Sequence, residues 1–378
     1  MIDYTLSDGV LTIKDGTKNI PTDAFSNNTQ IKKVIIPNSV RKIGRKAFNL
    51  CYNLEEVVIP TRGLRFIGDN AFCCCFKLAR FDVPRTVVRI GKHAFESCYA
   101  LKKIDIPHGV SVLEEQTFIN CNILKLVSLP ATLKAIGKLC FFGCGLLEYI
   151  KIPNSVYVID DFCFSCCRML KNIDLSKNIK KLGCEIFSGC KKLLSIEIPK
   201  KLKMIPADFC RGCVSIEEIY IPDNIKIIGK LAFFGCDKLR IVRLSNRMTI
   251  ISHHAFAYCY ALESIIIPKS VIGIDIGAFC NCQNLRNVVF KNANALYEAS
   301  AFDNCIRLLL KKPYRVGKFK NLKKLTDFNE DICPITHETM TNKSVVVLLK
   351  CGHIFMETAF AEWEKRENYC PYCRTVIS

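Results

Sequence analysis

Most of the chain repeats one short pattern of apolar and polar positions. The stretch from Ala94 to Gln116 shows it: Ala-Phe, a cysteine three residues after the phenylalanine, a leucine, and then alternating apolar residues that end at Ile-Pro. The phenylalanine returns every 23 residues, with one step of 24, and Cys210 fills the single slot that lacks it. So regular a period predicts a solenoid, in which each coil buries its apolar side against the next. The column comprises Phe25, Phe48, Phe72, Phe95, Phe118, Phe141, Phe164, Phe187, Phe233, Phe256, Phe279 and Phe302.

Each coil also contains an alternating run of the form Leu-x-x-Ile-x-Ile-Pro. Its middle apolar position, from Val34 to Val288, is β-branched in eleven of twelve coils, which buried parallel strands favour. The proline follows where no further ladder donor is needed. A second half of the coil, such as Val110-x-x-Leu113, would return the chain over the far side. We therefore predict a repeat solenoid with a parallel β-sheet on one face.

The column after the buried strand position varies much more than its neighbour. Because side chains alternate along a strand, these residues should point out of the sheet across its open face. Such variety suits a binding surface for a protein partner, although solvent-facing positions also vary when nothing constrains their packing. The candidate substrate-binding residues are Asp82, Asp105, Lys151, Asp174, Glu197, Tyr220 and Arg243.

The 378 residues divide into four expected segments. Residues 1–24 contain two alternating runs around Asp8-Gly9, which predict a hairpin that caps the open end of the array. Residues 25–305 hold the 23-residue coils. The period then stops, and residues 306–328 form a basic linker. Residues 329–378 have a different composition and form a separate small domain.

Twelve of the 24 cysteines form a second column. Stacked coils place such residues about 4.8 Å apart, within the Cα separation of a disulfide, but with parallel side chains. The start of the chain lacks a secretory leader, so we expect reduced thiols that act as small buried apolar groups, with disulfides or metal as the alternative. The column comprises Cys51, Cys75, Cys98, Cys121, Cys144, Cys167, Cys190, Cys213, Cys236, Cys259, Cys282 and Cys305.

The net charge is unevenly distributed along the chain, with a dense basic run in the linker. The net charge is +19, and residues 307–324 carry eight Lys or Arg and no acid. Such a run can contact nucleic acid or an anionic membrane, or can be merely solvated. No run of 18 or more apolar residues occurs, so with the missing leader we expect an intracellular protein, cytoplasmic or nuclear, without a signal peptide or transmembrane segment.

The repeated unit C-x-x-L-x-x-I-x-I-P-x-x-V-x-x-I-G-x-x-A-F resembles the BspA-like (Treponema-type) leucine-rich repeats over about residues 1–305. The chain departs from it at Asn28, which replaces the first column cysteine, and at Ser176, Ser245 and Lys291, which replace the proline. The resemblance implies a stacked solenoid and a role in protein recognition, and it implies no chemistry.

The last segment contains a pattern of zinc ligands. Cys351-x-His353 is followed after sixteen residues by Cys370-x-x-Cys373. Thiolates and imidazole are the donors that zinc prefers, and four of them close a tetrahedral structural site. The segment between the pairs has helix-forming composition from about Glu357 to Arg366. The alternative is two buried cysteine pairs and an ordinary histidine.

This segment resembles the RING/U-box superfamily. A full RING binds two zinc ions through eight ligands, and here the second site is complete, whereas Cys333 alone remains of the first. Thr336 and Met356 stand where further ligands belong. The resemblance thus implies one Zn²⁺ ion, a layout similar to SP-RING domains, which also often begin Cys-Pro-Ile-Thr. We do not assign Cys333 as a ligand.

The resemblance also implies a surface for a ubiquitin-conjugating enzyme. Ile335, Trp363 and Pro371 match the three apolar contact positions, and Arg374 matches the arginine that contacts ubiquitin. Trp363 and Ile335 could instead serve core packing, and Arg374 could be a solvated charge. If the resemblance holds, catalysis needs no nucleophile, because the ligase positions the thioester near a lysine.

Three hypotheses follow. The chain could be a RING-type ubiquitin ligase that acts without a covalent intermediate, its repeats recruiting a substrate and its C-terminal domain a ubiquitin-conjugating or, alternatively, a SUMO-conjugating enzyme. It could be a non-catalytic interaction scaffold, which the incomplete first zinc site favours. It could also bind nucleic acid or membrane through the linker, and steep salt dependence would then distinguish it.

Overall fold

A computed structural model of the chain describes residues 2–292, 295–308, 314–318, 331–341, 344–349 and 351–377, with backbone only at 314–318. Most of the basic linker, which the sequence analysis offered as a surface for nucleic acid or membrane, lies outside the described residues. No helix among the described residues is both long enough and apolar enough to cross a membrane.

The solenoid is built from parallel strands that pair one coil apart. Val34 pairs with Val57, Ile104 with Val127, and Ile265 with Val288. We call the outward side of these strands the front face. The strands are Val10–Ile13, Lys33–Ile35, Glu56–Val58, Lys103–Asp105, Leu126–Ser128, Tyr149–Lys151, Asn172–Asp174, Glu218–Tyr220, Ile241–Arg243, Ser264–Ile267 and Asn287–Phe290.

A second, shorter strand in each coil forms the opposite side of the stack. All but the last of these strands bury their second residue, as Ile43 and Ile159 do, and leave the first exposed or half-buried. The strands are Asn19–Ile20, Lys42–Ile43, Phe66–Ile67, Arg89–Ile90, Val112–Leu113, Ala135–Ile136, Val158–Ile159, Lys181–Leu182, Met204–Ile205, Ile227–Ile228, Ile250–Ile251, Gly273–Ile274 and Leu296–Tyr297. A 3₁₀ turn, Ala299–Phe302, follows the last of them.

Two coils lack the regular front strand that the repeat predicts. Residues 80–82 make only an isolated bridge from Arg80 to Glu56, and residues 195–197 form no strand. In the first coil the one middle position without a β-branched residue holds Phe81. Its ring packs edge-on against Phe72 and Phe95, with centroids 4.9 and 4.8 Å apart. The other coil without a front strand has Ile196 at the same position, so a large ring is not common to the two.

The phenylalanine column forms a continuous stack through the core. Neighbouring rings such as Phe95 and Phe118 lie 5.6 Å apart and nearly parallel. Cys210 lies at the phenylalanine position of its coil, but the aromatic ring in this coil comes from the preceding residue, Phe209. Phe209 is fully buried and contacts Phe187 and Phe233 edge-on, at 5.5 and 6.1 Å. The Phe209 ring is therefore nearly perpendicular to its two neighbours, and the aromatic contacts continue through this coil.

The cysteine column is more than apolar filling. Each of its twelve thiols donates to a backbone carbonyl of the preceding coil at 3.1–3.4 Å, for example Cys75 to Phe48 and Cys144 to Phe118. That carbonyl also accepts the backbone N–H of its own coil's cysteine, as Phe48 accepts from Cys51. All cysteines among the described residues are free thiols. The thiols thus form hydrogen bonds between neighbouring coils. Burial raises the pKa of Cys51 and Cys121 to about 12.

The hairpin expected at the start of the chain is present. Tyr4–Ser7 pairs antiparallel with Val10–Ile13 around Asp8 and Gly9, both of which have positive φ. The second hairpin strand continues in parallel into the front sheet, with Leu11 opposite Val34. The first strand therefore covers the edge of that sheet, as a cap requires.

The C-terminal domain contains a three-stranded antiparallel sheet and one helix. Strand Val345–Leu349 pairs with Tyr314–Lys318 on one side and with Ile354–Met356 on the other, and helix Glu357–Glu364 follows. Strand Tyr314–Lys318 lies within the expected linker, so that part of the linker belongs to the C-terminal sheet. The domain has its own core, which includes Cys333, Met340, Val346, Val347, Ile354, Phe355 and Phe360.

Candidate metal centre and its surroundings

Two tight turns supply the four predicted zinc ligands. Cys351 and His353 lie in the turn between strands Val345–Leu349 and Ile354–Met356. Gly352 between them donates its N–H to Leu349 at 3.0 Å and has φ +87°, a conformation that glycine adopts without strain. The turn therefore presents a thiol and an imidazole on the same side of the hairpin.

The second pair comes from residues 370–374, which we call the second loop. The N–H of Arg374 donates to the carbonyl of Cys370 at 2.9 Å, and Arg374 has φ 60°. A second hydrogen bond, from the N–H of Cys370 to the carbonyl of Thr375 at 2.8 Å, joins the two ends of the loop. These two hydrogen bonds make residues 370–375 a tight turn that contains both Cys370 and Cys373.

The structure brings all four side chains together. One ligand atom from each of Cys351, His353, Cys370 and Cys373 lies within 4.8 Å of the others. His353 Nδ1 lies 3.4 Å from the Cys351 sulfur and 3.7 Å from that of Cys370. Zn–S and Zn–N bonds of about 2.3 and 2.05 Å in a tetrahedron place sulfur and nitrogen about 3.6 Å apart. The two observed separations bracket that value, so the donor set fits zinc.

Thiol protonation differs across the site. Burial raises the pKa of Cys351 to about 12, whereas the Thr375 hydroxyl, 3.1 Å from the Cys373 sulfur, lowers the pKa of Cys373 to about 6. Zinc binds thiolates, so loading this site expels a proton from Cys351. The ring of Tyr372 lies over His353 with centroids 4.5 Å apart, a contact that the sequence analysis did not single out.

The first loop, residues 333–337, has the same backbone as the second. The N–H of His337 donates to Cys333 at 2.8 Å, His337 has φ 59°, and the N–H of Cys333 donates to Glu338. Short bridges flank both loops, Ile332 to Thr339 and Tyr369 to Val376. The shape of a zinc-binding turn is therefore retained although Thr336 replaces its second cysteine.

The Cys333 side chain takes part in hydrogen bonds. Its sulfur is buried and accepts the backbone N–H of Met356 at 3.3 Å. Burial raises the pKa of Cys333, but hydrogen bonds from Met356 and Thr336 outweigh that effect and lower it overall. Among the described residues, no group of three or more His, Cys, Asp or Glu ligands surrounds Cys333.

The four predicted contact positions for a conjugating enzyme are accessible to different degrees. Ile335 and Trp363 are half-buried at the edge of the domain core, and Pro371 is half-buried in the second loop. Arg374 is exposed. The indole N–H of Trp363 donates to the Tyr369 carbonyl at 3.0 Å, so this ring also holds the helix against the second loop. Ile332 and Tyr372 add exposed apolar surface that the sequence analysis did not single out.

The seven predicted residues of the front face are all exposed, but some of their charges are already paired. Asp82 and Asp105 each form an ion pair at 2.8 Å with a cation two residues earlier, Arg80 and Lys103. Asp174 accepts from the Tyr149 hydroxyl at 2.6 Å. The remaining positions are Lys151, Glu197, Tyr220 and Arg243, the last of which lies over the Tyr220 ring at 5.1 Å.

Comparisons with known proteins agree with both parts of this architecture. The sequence matches the BspA type leucine rich repeat region family over residues 9–125, 114–240 and 203–324. It matches the ring finger domain family over residues 331–374. A leucine-rich repeat protein from Bacteroides ovatus is 27% identical and superposes with a TM-score of 0.66, covering 81% of this chain and 91% of the other. A leucine rich cell surface protein from Faecalibacterium prausnitzii is 25% identical, with the same coverages and a TM-score of 0.52.

Two curated relatives match a short part of the chain. E3 ubiquitin-protein ligase RNFT1 of Danio rerio is 46% identical over 48 residues, which are 13% of this chain and 11% of that protein. Probable E3 ubiquitin-protein ligase RHB1A of Arabidopsis thaliana is 38% identical over 57 residues, 15% of this chain and 30% of the other. The chain thus belongs to the BspA-type leucine-rich repeat family and carries a C-terminal RING finger domain.

Proposed function

We propose that this protein is a ubiquitin ligase in which the repeats recruit a protein substrate and the RING domain recruits a ubiquitin-conjugating enzyme. The observation that carries the proposal is the convergence of the Cys351, His353, Cys370 and Cys373 ligand atoms to within 4.8 Å of one another in a RING finger domain. The similarity of a short part of the chain to two ubiquitin ligases supports the same activity.

The residues around the metal centre have distinct roles in this proposal. Ile335, Trp363 and Pro371 form the apolar contact with the conjugating enzyme, and their partial exposure is compatible with both packing and contact. Exposed Arg374 has a planar head with several donors, which suits bridging the enzyme and its ubiquitin. No group of this chain attacks the thioester, because holding it in a reactive orientation near a substrate lysine accelerates transfer.

A single zinc ion completes the domain in this proposal. Cys351, His353, Cys370 and Cys373 hold it, and it ties the hairpin turn to the second loop. The hydrogen bonds around Cys333 take over the structural role of the other ion. The zinc is structural, so its contribution is to hold Pro371 and Arg374 in place.

The test is ubiquitin discharge from a panel of charged conjugating enzymes, with the full-length protein. Ile335→Ala and Arg374→Ala should each slow discharge by tenfold or more at unchanged zinc content. Lys365→Ala is the matched control, because Lys365 is an exposed residue directly after the helix and forms an ion pair with Glu362, and it should leave the rate within twofold. Unchanged discharge in both test variants would contradict the proposal.

A non-catalytic scaffold is the second candidate, and the replacement of the first zinc site by hydrogen bonds around Cys333 favours it. In that case no charged enzyme is discharged, yet the repeats still capture a partner. Repeating the discharge assay with a charged SUMO-conjugating enzyme separates the third possibility, a ligase of the SP-RING type.

A further inference from the structure

A groove on the front face lies over its C-terminal coils. It has a volume of about 620 Å³ and spans the strands Ile241–Arg243 and Ser264–Ile267. Its floor includes Ile241 and Ile266, whose side chains are 44% and 55% exposed. Neighbouring coils add exposed Tyr220 and Val289. Four consecutive coils therefore present apolar surface to solvent, which isolated monomers rarely leave uncovered without a role.

The groove carries only positive charge. Arg240, Arg243, Lys269 and Lys291 line it, and none of its lining residues is acidic. Arg240 is paired with Glu217 at 2.7 Å, but no ion pair to a carboxylate among the described residues involves the other three. Three cations thus stand around an apolar floor without an anionic partner.

The N-terminal part of the same face differs in that its coils contain ion pairs. Lys33 pairs with Glu56 at 2.8 Å, and each of the next two coils contains its own ion pair, with Asp82 and Asp105 as the acids. A second groove of about 430 Å³ in the middle coils has both signs of charge, from Lys151 and Lys177 to Asp174 and Glu197. A third groove, of about 580 Å³, has Lys151 as its one charged lining residue. The C-terminal groove therefore differs from these two grooves in having several cations and no acid among its lining residues.

We propose that this groove binds an extended acidic segment of a partner protein, with apolar side chains on Ile241 and Ile266 and carboxylates at Arg243, Lys269 and Lys291. Charge complementarity selects this occupant. Opposite potentials accelerate association and disfavour partners of the wrong sign. The proposal rests on the proposed function, since it names the chemical class of the segment that the repeats would recognise.

The dimensions of the site set the length of that segment. From the coil of Tyr220 to the coil of Val289 is three steps, about 14 Å at the usual strand spacing of about 4.8 Å. An extended chain advances about 3.3 Å per residue, so four to five residues cross the apolar floor. Acidic residues within this stretch and just beyond it reach the surrounding cations.

The experiment is fluorescence anisotropy of the full-length protein with a labelled nonapeptide, Ser-Glu-Asp-Leu-Glu-Leu-Asp-Glu-Ser. One control peptide replaces each acid by lysine, and another replaces each leucine by serine. We expect the acidic apolar peptide to bind at least tenfold more tightly than either control. Equal affinity for the serine control would overturn the apolar part of the proposal, and no measurable binding of the acidic peptide at millimolar concentration would overturn it entirely.

Protein variants locate the binding site. Lys269→Glu combined with Lys291→Glu should weaken binding of the acidic peptide at least tenfold, and Ile266→Ser should weaken it about threefold or more. The matched control is Lys77→Glu combined with Lys102→Glu, which changes the net charge equally at two exposed lysines of other coils, outside the groove. This control should stay within twofold of the unmodified protein. An equal loss in the control would show a general effect of net charge and would refute the assignment to the groove.

A single-stranded oligothymidylate of the same charge distinguishes a peptide site from a general polyanion site. We expect it to compete at least tenfold more weakly than the acidic peptide, and equal competition would overturn the proposal. The binding assay contains no conjugating enzyme, and the discharge assay contains no peptide. Failure of the groove proposal and failure of the ligase proposal are therefore separate results.

Discussion

The ring of Phe209 lies edge-on against that of Phe187, with 5.5 Å between their centroids. In every other coil the ring comes from the residue after a small or medium-sized one, usually Ala-Phe, whereas this coil has Phe-Cys. The exchange moves the ring by one position, and the core accommodates it by turning the ring rather than leaving a cavity. The aromatic stack therefore continues through this coil although its ring comes from a different position of the repeat.

Truncation of this ring should expose how much the stack contributes. Phe209→Ala leaves two small side chains between Phe187 and Phe233, so we expect a loss of about 3–5 kcal/mol in the free energy of unfolding, as for other buried phenylalanines. Urea denaturation followed by circular dichroism measures it. The double variant Phe209→Ala with Cys210→Phe restores the usual Ala-Phe order and should recover most of the loss. A double variant no more stable than the single one would contradict this account.

Alkaline pH should destabilise the solenoid through its thiol column. Burial raises the pKa of Cys51 and Cys121 from 9.0 to about 12, and it also raises the pKa of Cys75, Cys98 and Cys144. Above about pH 9 the unfolded state releases thiol protons that the folded state retains, so stability is complete below that pH and falls above it. At pH 9.5 each such thiol removes about 0.8 kcal/mol relative to pH 7.5.

The measurement for this prediction is the urea midpoint at pH 7.5 and pH 9.5 with reductant present. The control combines Cys98→Val, Cys121→Val and Cys144→Val, which keeps the apolar volume and removes three titrating groups. Its midpoint should fall less between the two pH values. An identical fall in both proteins would mean that other groups cause the pH dependence.

Removal of the metal should unfold the RING domain and spare the repeats. Cys370→Ser deletes one of the four converging donors, and folding of so small a domain is coupled to its metal. We expect one zinc ion per chain by elemental analysis of the unmodified protein and none in the variant. Calorimetry should show loss of one transition with the other unchanged. A single transition that shifts as a whole would refute the independence of the two parts.

Trp363 offers a way to separate packing from recognition. Trp363→Phe keeps an apolar ring beside the core but removes the N–H that donates to Tyr369. We expect it to cost about 0.5–1.5 kcal/mol in stability of the RING domain, the net value of one hydrogen bond. Ubiquitin discharge should fall less than threefold in this variant and at least tenfold in Trp363→Ala. Equal effects of the two variants on discharge would indicate that the hydrogen bond, and not the apolar contact, matters.

The repeat period, the buried strand column and the four zinc ligands all follow from local sequence. A period of 23 residues forces equivalent residues into one column, so Phe95 and Phe118 must be neighbours whatever the details of the coil. The pairs Cys351-x-His353 and Cys370-x-x-Cys373 are also local, and only their convergence required folding. Short-range regularity is why these features were predictable.

The tertiary structure decided which parts of the front face remain available for a partner. The sequence places Asp82 and Arg243 in the same column and does not distinguish them. In the structure Asp82 forms an ion pair with Arg80 of its own coil, whereas Arg243 lines a groove that has no acidic lining residue. It also decided that Phe209 fills the slot of Cys210 and that residues 314–318 join the C-terminal sheet. Sequence alone fixes which residues recur, because periodicity is a one-dimensional property. Ion pairing, ring orientation and strand partners depend on distances across coils and between segments, and these exist only once the chain has folded.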